Sequence, residues 1–332
     1  MTTRDFEIAN SVLVGDTADV YLHRTMTILR NEGMNPEVVM EFTPERGGVL
    51  GGINEVRSLL TKVLPETGRE VWALEEGSAV NRKEVSLRIH APYVSFGLYE
   101  TAICGILASC TGWASAAREC VEAAQGIPIV SFGARHVHPS VAGIMEYSAV
   151  VGGCVAPSSV LGARLTGLTP SGTMPHALVL IMGDTVRAIQ AFDRHMPPET
   201  PRVALVDTFH DETEESLEVA RVMREKLRGV RLDTPKERGG VTPALVQELR
   251  SRLDQAGFSH VDIIVSGGMT PDRIREFVET ESPVNVFGVG SYISSAPSNN
   301  FTADIHEIEG RPAAKRGRIP GITQNGRLGR VL

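Results

Sequence analysis

Short apolar runs alternate with amphipathic stretches over the second half of the chain. The runs are too short for helices, and two of them close on glycines, as is typical of fully buried parallel strands. They predict five strands, at residues 128–132, 202–208, 230–234, 261–266 and 284–289. The amphipathic stretches predict helices at 139–151, 176–195, 212–227, 243–255 and 270–281. This alternation indicates an α/β fold, either a parallel barrel or a doubly wound sheet.

The first hundred residues follow a different pattern. A helix is predicted at 16–33 and a strand at 37–42, while the strands at 70–74 and 84–90 are separated by turn residues and not by a helix. That order suggests a small α+β domain with an antiparallel sheet. A hairpin after residue 304 is expected to return to the same sheet. We therefore predict an α+β domain formed by 1–110 and 295–332, and an α/β domain formed by 111–294.

The composition argues against a nucleic-acid-binding protein and against a membrane protein. Lys and Arg number 33 against 40 Asp and Glu, a net charge of −7, which argues against general nucleic-acid binding. The longest weakly apolar run, 102–117, is short and rich in small residues, so we expect a core helix and not a membrane span. The four cysteines show no metal-ligand spacing and follow no signal peptide. Reduced, mostly buried thiols in a cytoplasmic protein fit this pattern.

Two adjacent strand ends carry glycines that suit a phosphate group. The parallel strands 261–266 and 284–289 would place Gly267 and Gly268 beside Gly288 and Gly290 at one rim. Glycines there let backbone N–H groups approach a phosphate, and following helix N-termini add partial positive charge. The alternative is that they are only turn glycines.

Charged residues lie at two other strand ends. In VRLDTP, alternation puts Arg231 and Asp233 on one face, pointing into the barrel mouth, unless they form only a structural ion pair. In LVDTFHDE, Asp207 could hold Mg²⁺ through water. Asp211 either helps to hold the Mg²⁺ or caps the helix that follows.

The remaining candidates are aromatic and basic. Phe132, Arg135 and His136 end the strand 128–132, and an aromatic face beside a guanidinium suits a flat ring bearing a carboxylate. A single histidine such as His136 would, by itself, more often have a structural role. His176 opens a predicted helix, where the dipole favours a neutral, nucleophilic imidazole, or it is an ordinary surface residue.

Six segments in this order closely resemble the nicotinate phosphoribosyltransferase family, in its shorter bacterial and archaeal branch. They are SFGARHVHPS, GTMPHA, LVDTFHDE, VRLDTP, IIVSGGM and FGVGS. The resemblance implies an irregular α/β barrel beside an α+β open-faced sandwich domain, in a homodimer or larger homo-oligomer with shared active sites. It implies transfer from phosphoribosyl pyrophosphate to nicotinate, coupled to hydrolysis of ATP, with Mg²⁺ as cofactor and neither nucleic acid nor membrane as partner.

The resemblance also implies residue roles. Tyr21 would meet the pyridine ring across a subunit interface, Arg135 the nicotinate carboxylate with His136 nearby, and Asp233 the ribose hydroxyls. From its position at the start of a helix, His176 is predicted to form a phosphohistidine with ATP, and Arg231 and Asp233 are expected to join it in catalysis. The 5-phosphate would lie on the glycine ends, and the pyrophosphate on Lys315 and Arg318. Residues expected in the substrate site are Tyr21, Phe132, Arg135, His136, Ser266, Gly267, Gly268, Gly288, Gly290, Lys315 and Arg318.

Other functions stay open from the sequence. The base could be nicotinamide or quinolinate, although the neutral amide would make little use of Arg135 and the dicarboxylate would need more cations. An unrelated phosphate-binding barrel enzyme would explain the glycines but not GTMPHA. A catalytically silent nucleotide-binding protein is the third alternative, against which the intact Asp233 and His176 speak.

Overall fold

The computed structural model describes residues 6–332, which form two compact units. One unit runs to Ser115 and includes Ala296–Leu332, and the other is Ala116–Ser295. The strands are β1 Glu37–Pro44, β2 Gly48–Val49, β3 Glu70–Ala73, β4 Ala79–Val80, β5 Leu87–Pro92, β6 Ile129–Ser131, β7 Arg202–Leu205, β8 Leu227–Leu232, β9 Asp262–Val265, β10 Val286–Val289, β11 Phe301–Ile308, β12 Arg311–Pro312 and β13 Gly329–Arg330.

In residues 6–332, the α-helices are accompanied by four short 3₁₀ turns. They are α1 Asn10–Leu13, α2 Val20–Asn31, α3 Ile53–Val63, α4 Tyr93–Phe96, α5 Glu100–Ala123, α6 Pro139–Val151, α7 Val160–Thr166, α8 His176–Met182, α9 Thr185–His195, α10 Glu212–Met223, α11 Pro243–Gln255, α12 Pro271–Glu279 and α13 Ser291–Ser294. Together with the strands they give a mixed α/β fold with one parallel and one antiparallel main sheet, as the sequence predicts.

The first unit is built on a six-stranded antiparallel sheet in the order β12-β11-β1-β5-β3-β13. Buried and partly exposed residues alternate along β5, so one face of the sheet is turned toward the core and the other is partly exposed. Strand β11 pairs antiparallel with β1, so the prediction that the chain returns to this sheet is confirmed. The pairing of β13 with β3 was not predicted, because a two-residue strand carries no periodic signal.

The second unit holds five parallel strands in the order β6-β10-β9-β8-β7. Strands β9 and β10 are neighbours, as the sequence predicts, and a further parallel bridge joins Val130 to Ala156 beside β6. Because all five strands point the same way, their carboxyl ends meet along one edge. That edge carries the polar residues described below.

Several predicted bounds in this unit are wrong, each for a local reason. The helix expected at 176–195 breaks into α8 and α9, because Gly183 adopts a left-handed conformation (φ +73°) and Asp184 caps the second helix. The helix expected at 212–227 ends at Met223, where Arg224 takes φ +49°. Between the predicted helices at 139–151 and 176–195, where no element is predicted, lies the short helix α7. By contrast, α6 and α11 match their predicted bounds.

Helix α5 belongs to a helical stretch that is long and apolar enough to cross a membrane by length and composition alone. A core helix passes the same test, and 39% of its apolar window is buried. Within it, Ile103, Leu107, Cys110 and Ala114 form a buried stripe at helical spacing. This stripe supports the predicted core helix. The four cysteines are free and three are buried, as expected.

Candidate functional site

Arg231 is the centre of a polar cluster at the carboxyl edge of the parallel sheet. Its guanidinium carbon lies 5.0 Å from the centre of the Phe132 ring. Its Nε donates to Ser266 Oγ (2.9 Å), and its Nη1 donates to Thr173 Oγ1 (3.2 Å). Its Nη2 lies 3.2 Å from Asp233 Oδ2. All three nitrogens are therefore engaged, so Arg231 holds its neighbours in place as much as it offers a charge.

Asp233 is fixed from two sides. Its Oδ1 accepts a hydrogen bond from Ser266 Oγ (2.8 Å), and its backbone N–H donates to Asp207 Oδ2 (2.9 Å). Arg231 and Asp233, which the sequence predicts on one face, form an ion pair, as in the structural alternative that the sequence left open. Their role in a substrate site stays a prediction. The Asp233 side chain stays 18% exposed, which leaves a carboxylate edge that a sugar hydroxyl could reach.

His176 lies against the same cluster. Its Nε2 is 3.7 Å from Asp233 Oδ2 and 3.8 Å from Asp207 Oδ1. Its Nδ1 is 3.1 Å from Thr208 Oγ1, a contact that the sequence did not reveal although Thr208 directly follows Asp207. The side chain is 39% exposed, so one part of the ring faces solvent while the rest is oriented by three neighbours.

Among the side chains of Asp207, Asp233 and His176, that of Asp207 is the most buried. Its side chain is 1% exposed, and its Oδ1 has no hydrogen-bond partner within the described residues. Burial raises the pKa of Asp207 to about 6, although His176 and the Asp233 amide pull in the opposite direction. Among residues 6–332 no group of three or more His, Cys, Asp or Glu is arranged to hold a metal ion. A hydrated Mg²⁺ needs an accessible carboxylate, which Asp233 offers better than Asp207.

Asp211 does not join this cluster. Its side chain caps α10 by accepting hydrogen bonds from the amides of Thr213 (2.9 Å) and Glu214 (3.4 Å). The capping alternative is therefore the correct one.

The first glycine strand end presents unused backbone donors. Gly267 and Gly268 both have left-handed backbones (φ +86° and +69°), and their amides donate to no acceptor in the part of the chain that the structure describes. Gly267 and Gly268, here called the glycine nest, thus present two successive free amides that can donate to one anion. Helix α12 begins just beyond, after its cap Thr270.

The glycines at the second strand end, Gly288 and Gly290, are required for a different reason. A Cβ at Gly288 would lie 2.4 Å from the Phe132 ring, and one at Gly290 would lie 3.1 Å from the Phe132 carbonyl oxygen and 3.3 Å from His136 Nε2. These glycines therefore make room for Phe132. Helix α13, which follows, has only four residues, so its N-terminus adds little of the partial positive charge expected at this end.

Arg135 and His136 lie in the 3₁₀ turn after β6, and both are exposed. The guanidinium that packs on Phe132 belongs to Arg231. That Phe132 and Arg135 together hold a ring bearing a carboxylate stays a prediction. Arg135 makes no ion pair or hydrogen bond within residues 6–332. His138 caps α6 by accepting from the Ser140 amide (3.2 Å), which is a structural role.

Three candidates belong to the first unit. Tyr21 lies on α2 and is 53% exposed. Lys315 Nζ and Arg318 Nε both bind the carboxylate of Asp304, at 2.6 and 2.7 Å. Burial tends to raise the pKa of Asp304, but these two hydrogen bonds outweigh it and lower the pKa. Lys315 and Arg318 could bind pyrophosphate only by sharing or leaving Asp304, and that assignment stays a prediction.

Two protein-family models match the sequence of this chain. A model of the quinolinate phosphoribosyl transferase C-terminal domain matches residues 113–304, more than half of the chain, and one of the N-terminal domain matches 19–111. The chain belongs to the quinolinate phosphoribosyltransferase family. That finding confirms the phosphoribosyltransferase resemblance at the level of the family.

Relatives in this family carry names related to nicotinate. A nicotinate phosphoribosyltransferase of Mycobacterium tuberculosis is 32% identical over 265 residues, 77% of this chain and 56% of its own. A Bacillus subtilis enzyme of the same name is 28% identical over 243 residues, 71% of this chain and 48% of its own. The chain thus spans about half the length of these relatives.

Solved structures of this family share the fold. Nicotinate-nucleotide pyrophosphorylase from Pyrococcus furiosus is 40% identical with a TM-score of 0.87, over 99% of this chain and 86% of its own. Human nicotinic acid phosphoribosyltransferase has a TM-score of 0.73 at 18% identity, over 92% of this chain and 77% of its own, a likeness of fold alone.

The raised pKa of Asp207 predicts a pH-dependent stability cost. An acid whose pKa is higher in the folded state destabilises the fold as pH rises from its unfolded value near 3.8 through about 6. Asp207→Asn keeps an oxygen for the Asp233 amide but carries no charge. We expect it to raise the free energy of unfolding by roughly 1–2 kcal/mol at pH 7.5 without added metal. The gain should shrink toward pH 4. Urea titrations at several pH values measure it, and a pH-independent difference would contradict the assignment.

Proposed function

We propose that this chain transfers the phosphoribosyl group from phosphoribosyl pyrophosphate to nicotinate, giving nicotinate mononucleotide and pyrophosphate. One observation carries the proposal: the fixed carboxylate of Asp233 lies beside the free amides of Gly267 and Gly268. A Cβ at Gly267 would lie only 3.3 Å from Asp233 Oδ1. A sugar phosphate presents hydroxyl donors and phosphate acceptors close together, which matches this pairing of an acceptor with donors.

The residues would act by alignment and not by acid–base chemistry. The pyridine nitrogen already carries a lone pair, so it can attack the anomeric carbon as pyrophosphate leaves without losing a proton. Asp233 would accept hydrogen bonds from the ribose hydroxyls, while Arg231 and Ser266 keep its carboxylate oriented. Holding both reactants in one geometry is the main rate enhancement expected of such a site. Mg²⁺, the expected cofactor, would offset the charge of the pyrophosphate when bound.

The engagement of the guanidinium groups favours a base with a single carboxylate. Arg135 is unengaged, whereas the three nitrogens of Arg231 already contact Asp233, Ser266 and Thr173. The forked guanidinium of Arg135 can bind one carboxylate, and nicotinate has one. Quinolinate is the second candidate, because the matching family models carry its name. Its two carboxylates would require a second cation.

The direct test is turnover by the purified protein. Phosphoribosyl pyrophosphate would be offered with nicotinate, quinolinate or nicotinamide in turn, each with and without ATP. Nicotinate should be used best, and ATP should stimulate it. Preferential use of quinolinate would replace the proposal by the second candidate, and no turnover of any base would favour a nucleotide-binding role.

The assembly and the location of the enzyme belong to the same proposal. We expect a homodimer or a larger homo-oligomer in the cytoplasm, in which the exposed Tyr21 reaches the pyridine ring bound by a neighbouring copy. An aromatic side chain that is 53% exposed on a helix suits such a contact.

Arg135 is predicted to select the base. A charge-assisted contact to a carboxylate is worth roughly 1.5–3 kcal/mol, so Arg135→Ala should raise KM for nicotinate by about one to two orders of magnitude. KM for nicotinamide, if that base is used, should change much less. Steady-state kinetics with both bases measure the difference. Arg187→Ala, which removes a cation from α9, is the control. Equal losses for both bases would make Arg135 a structural residue.

His176 is predicted to form a phosphohistidine. Its imidazole is partly exposed and oriented by Thr208, Asp207 and Asp233, so it could attack the γ-phosphorus of ATP with ADP leaving. Incubation with γ-labelled ATP and Mg²⁺ should give an acid-labile, base-stable phosphoprotein. His176→Ala should abolish both the label and the stimulation by ATP, while slow ATP-independent transfer remains. His195→Ala, at the exposed end of α9, is the control. Labelling of the His176 variant would disprove the role.

A further inference from the structure

Lys236 reaches the glycine nest from a neighbouring loop. It begins the 3₁₀ turn Lys236–Arg238, three residues after Asp233. Its Cε lies 3.4 Å from the position that a Cβ would occupy at Gly268. The ammonium nitrogen is one bond beyond that carbon. Lys236 could not be singled out from the sequence, because a lysine in a polar loop is most often a solvated residue.

The loop that carries Lys236 is anchored at both ends. Before it, Thr234 Oγ1 donates to the buried carboxylate of Glu212 (2.7 Å). Within it, the amides of Gly239 and Gly240 close the turn onto Lys236 and Pro235. After it, the Arg273 side chain of α12 donates to the Val241 carbonyl. The loop that carries Lys236 is therefore held in place, with the Lys236 side chain next to Gly268.

Lys236 is also an unengaged cation. It makes no ion pair with a carboxylate among the described residues. Arg231, by contrast, is paired with Asp233, and both Lys315 and Arg318 are paired with Asp304. An unpaired ammonium next to two free amides gives a site with positive charge and several donors. Such a set of donors suits a group with many acceptor oxygens and a double negative charge.

We propose that Lys236 is a binding residue for a phosphomonoester, namely the 5-phosphate of the sugar substrate. The amides of Gly267 and Gly268 and the Lys236 ammonium would share the phosphate oxygens. The identification of that phosphate as part of phosphoribosyl pyrophosphate rests on the proposed function. The contact itself can be tested without turnover, because ribose 5-phosphate carries the same phosphomonoester.

The experiment compares three variants of the full-length chain by calorimetric titration with ribose 5-phosphate. Lys236→Met keeps the apolar stem over Gly268 but removes the charge. Lys236→Arg restores a cation. Arg238→Met removes an exposed cation two residues away in the same turn and serves as the matched control. Ribose, which lacks the phosphate, is the control ligand.

Lys236→Met should weaken the binding of ribose 5-phosphate by about ten- to a hundredfold. Lys236→Arg should recover most of the loss, and Arg238→Met should stay within about twofold of the wild type. In turnover, Lys236→Met should raise KM for phosphoribosyl pyrophosphate and leave KM for nicotinate nearly unchanged.

Three results would overturn the inference: no binding of ribose 5-phosphate by the wild type, equal binding by wild type and Lys236→Met, or equal losses in Lys236→Met and Arg238→Met. Failure of the proposed function has a different signature. In that case no pyridine base turns over, while the titrations still decide whether Lys236 binds a phosphomonoester.

Discussion

The hydrogen bond from the Asp233 amide to the buried carboxylate of Asp207 ties the end of β8 to the end of β7. The rest of the cluster depends on it, because it fixes the backbone from which Asp233 reaches Arg231 and Ser266. Two further buried carboxylates hold the adjoining loops. Glu215 Oε1 accepts from the amides of Phe209 (2.7 Å) and His210 (2.9 Å), and Glu212 accepts from Thr234. The first turn of α10 therefore braces both strand ends.

This arrangement has an energetic cost. Burying a carboxylate without a full set of hydrogen bonds disfavours its charged form, and Asp207 has both a raised pKa and an unpaired Oδ1. Glu212 and Glu215, in contrast, are buried with their donors supplied by neighbouring loops and by the start of α9. Groups with strongly shifted pKa values are common at functional sites, and Asp207 faces the partly exposed His176.

The sequence predicted those features that depend on local signals. Helices α6 and α11 could be placed because each has proline in its first turn and a capping side chain before it. The break at Gly183 was missed because the apolar spacing of HALVLIM continues toward α9. Long-range pairings were also missed. Whether Arg135 or Arg231 packs on Phe132, and whether Lys315 is free or bound to Asp304, depends on contacts between distant segments. Periodicity carries no information about such contacts.

The charge of the chain bears on how it could bind anionic substrates. With a net charge of −7 the protein lacks a strong attractive field, so anion binding must depend on local donors. Backbone amides at Gly267 and Gly268 supply donors without adding a side-chain charge that a carboxylate could neutralise. Most cationic side chains near the candidate residues are already paired, Arg231 with Asp233 and Lys315 with Asp304. The phosphate end of a substrate would therefore be recognised mainly through the shape of the backbone. A single anchored lysine next to that backbone would then add charge where the amides alone supply only dipoles.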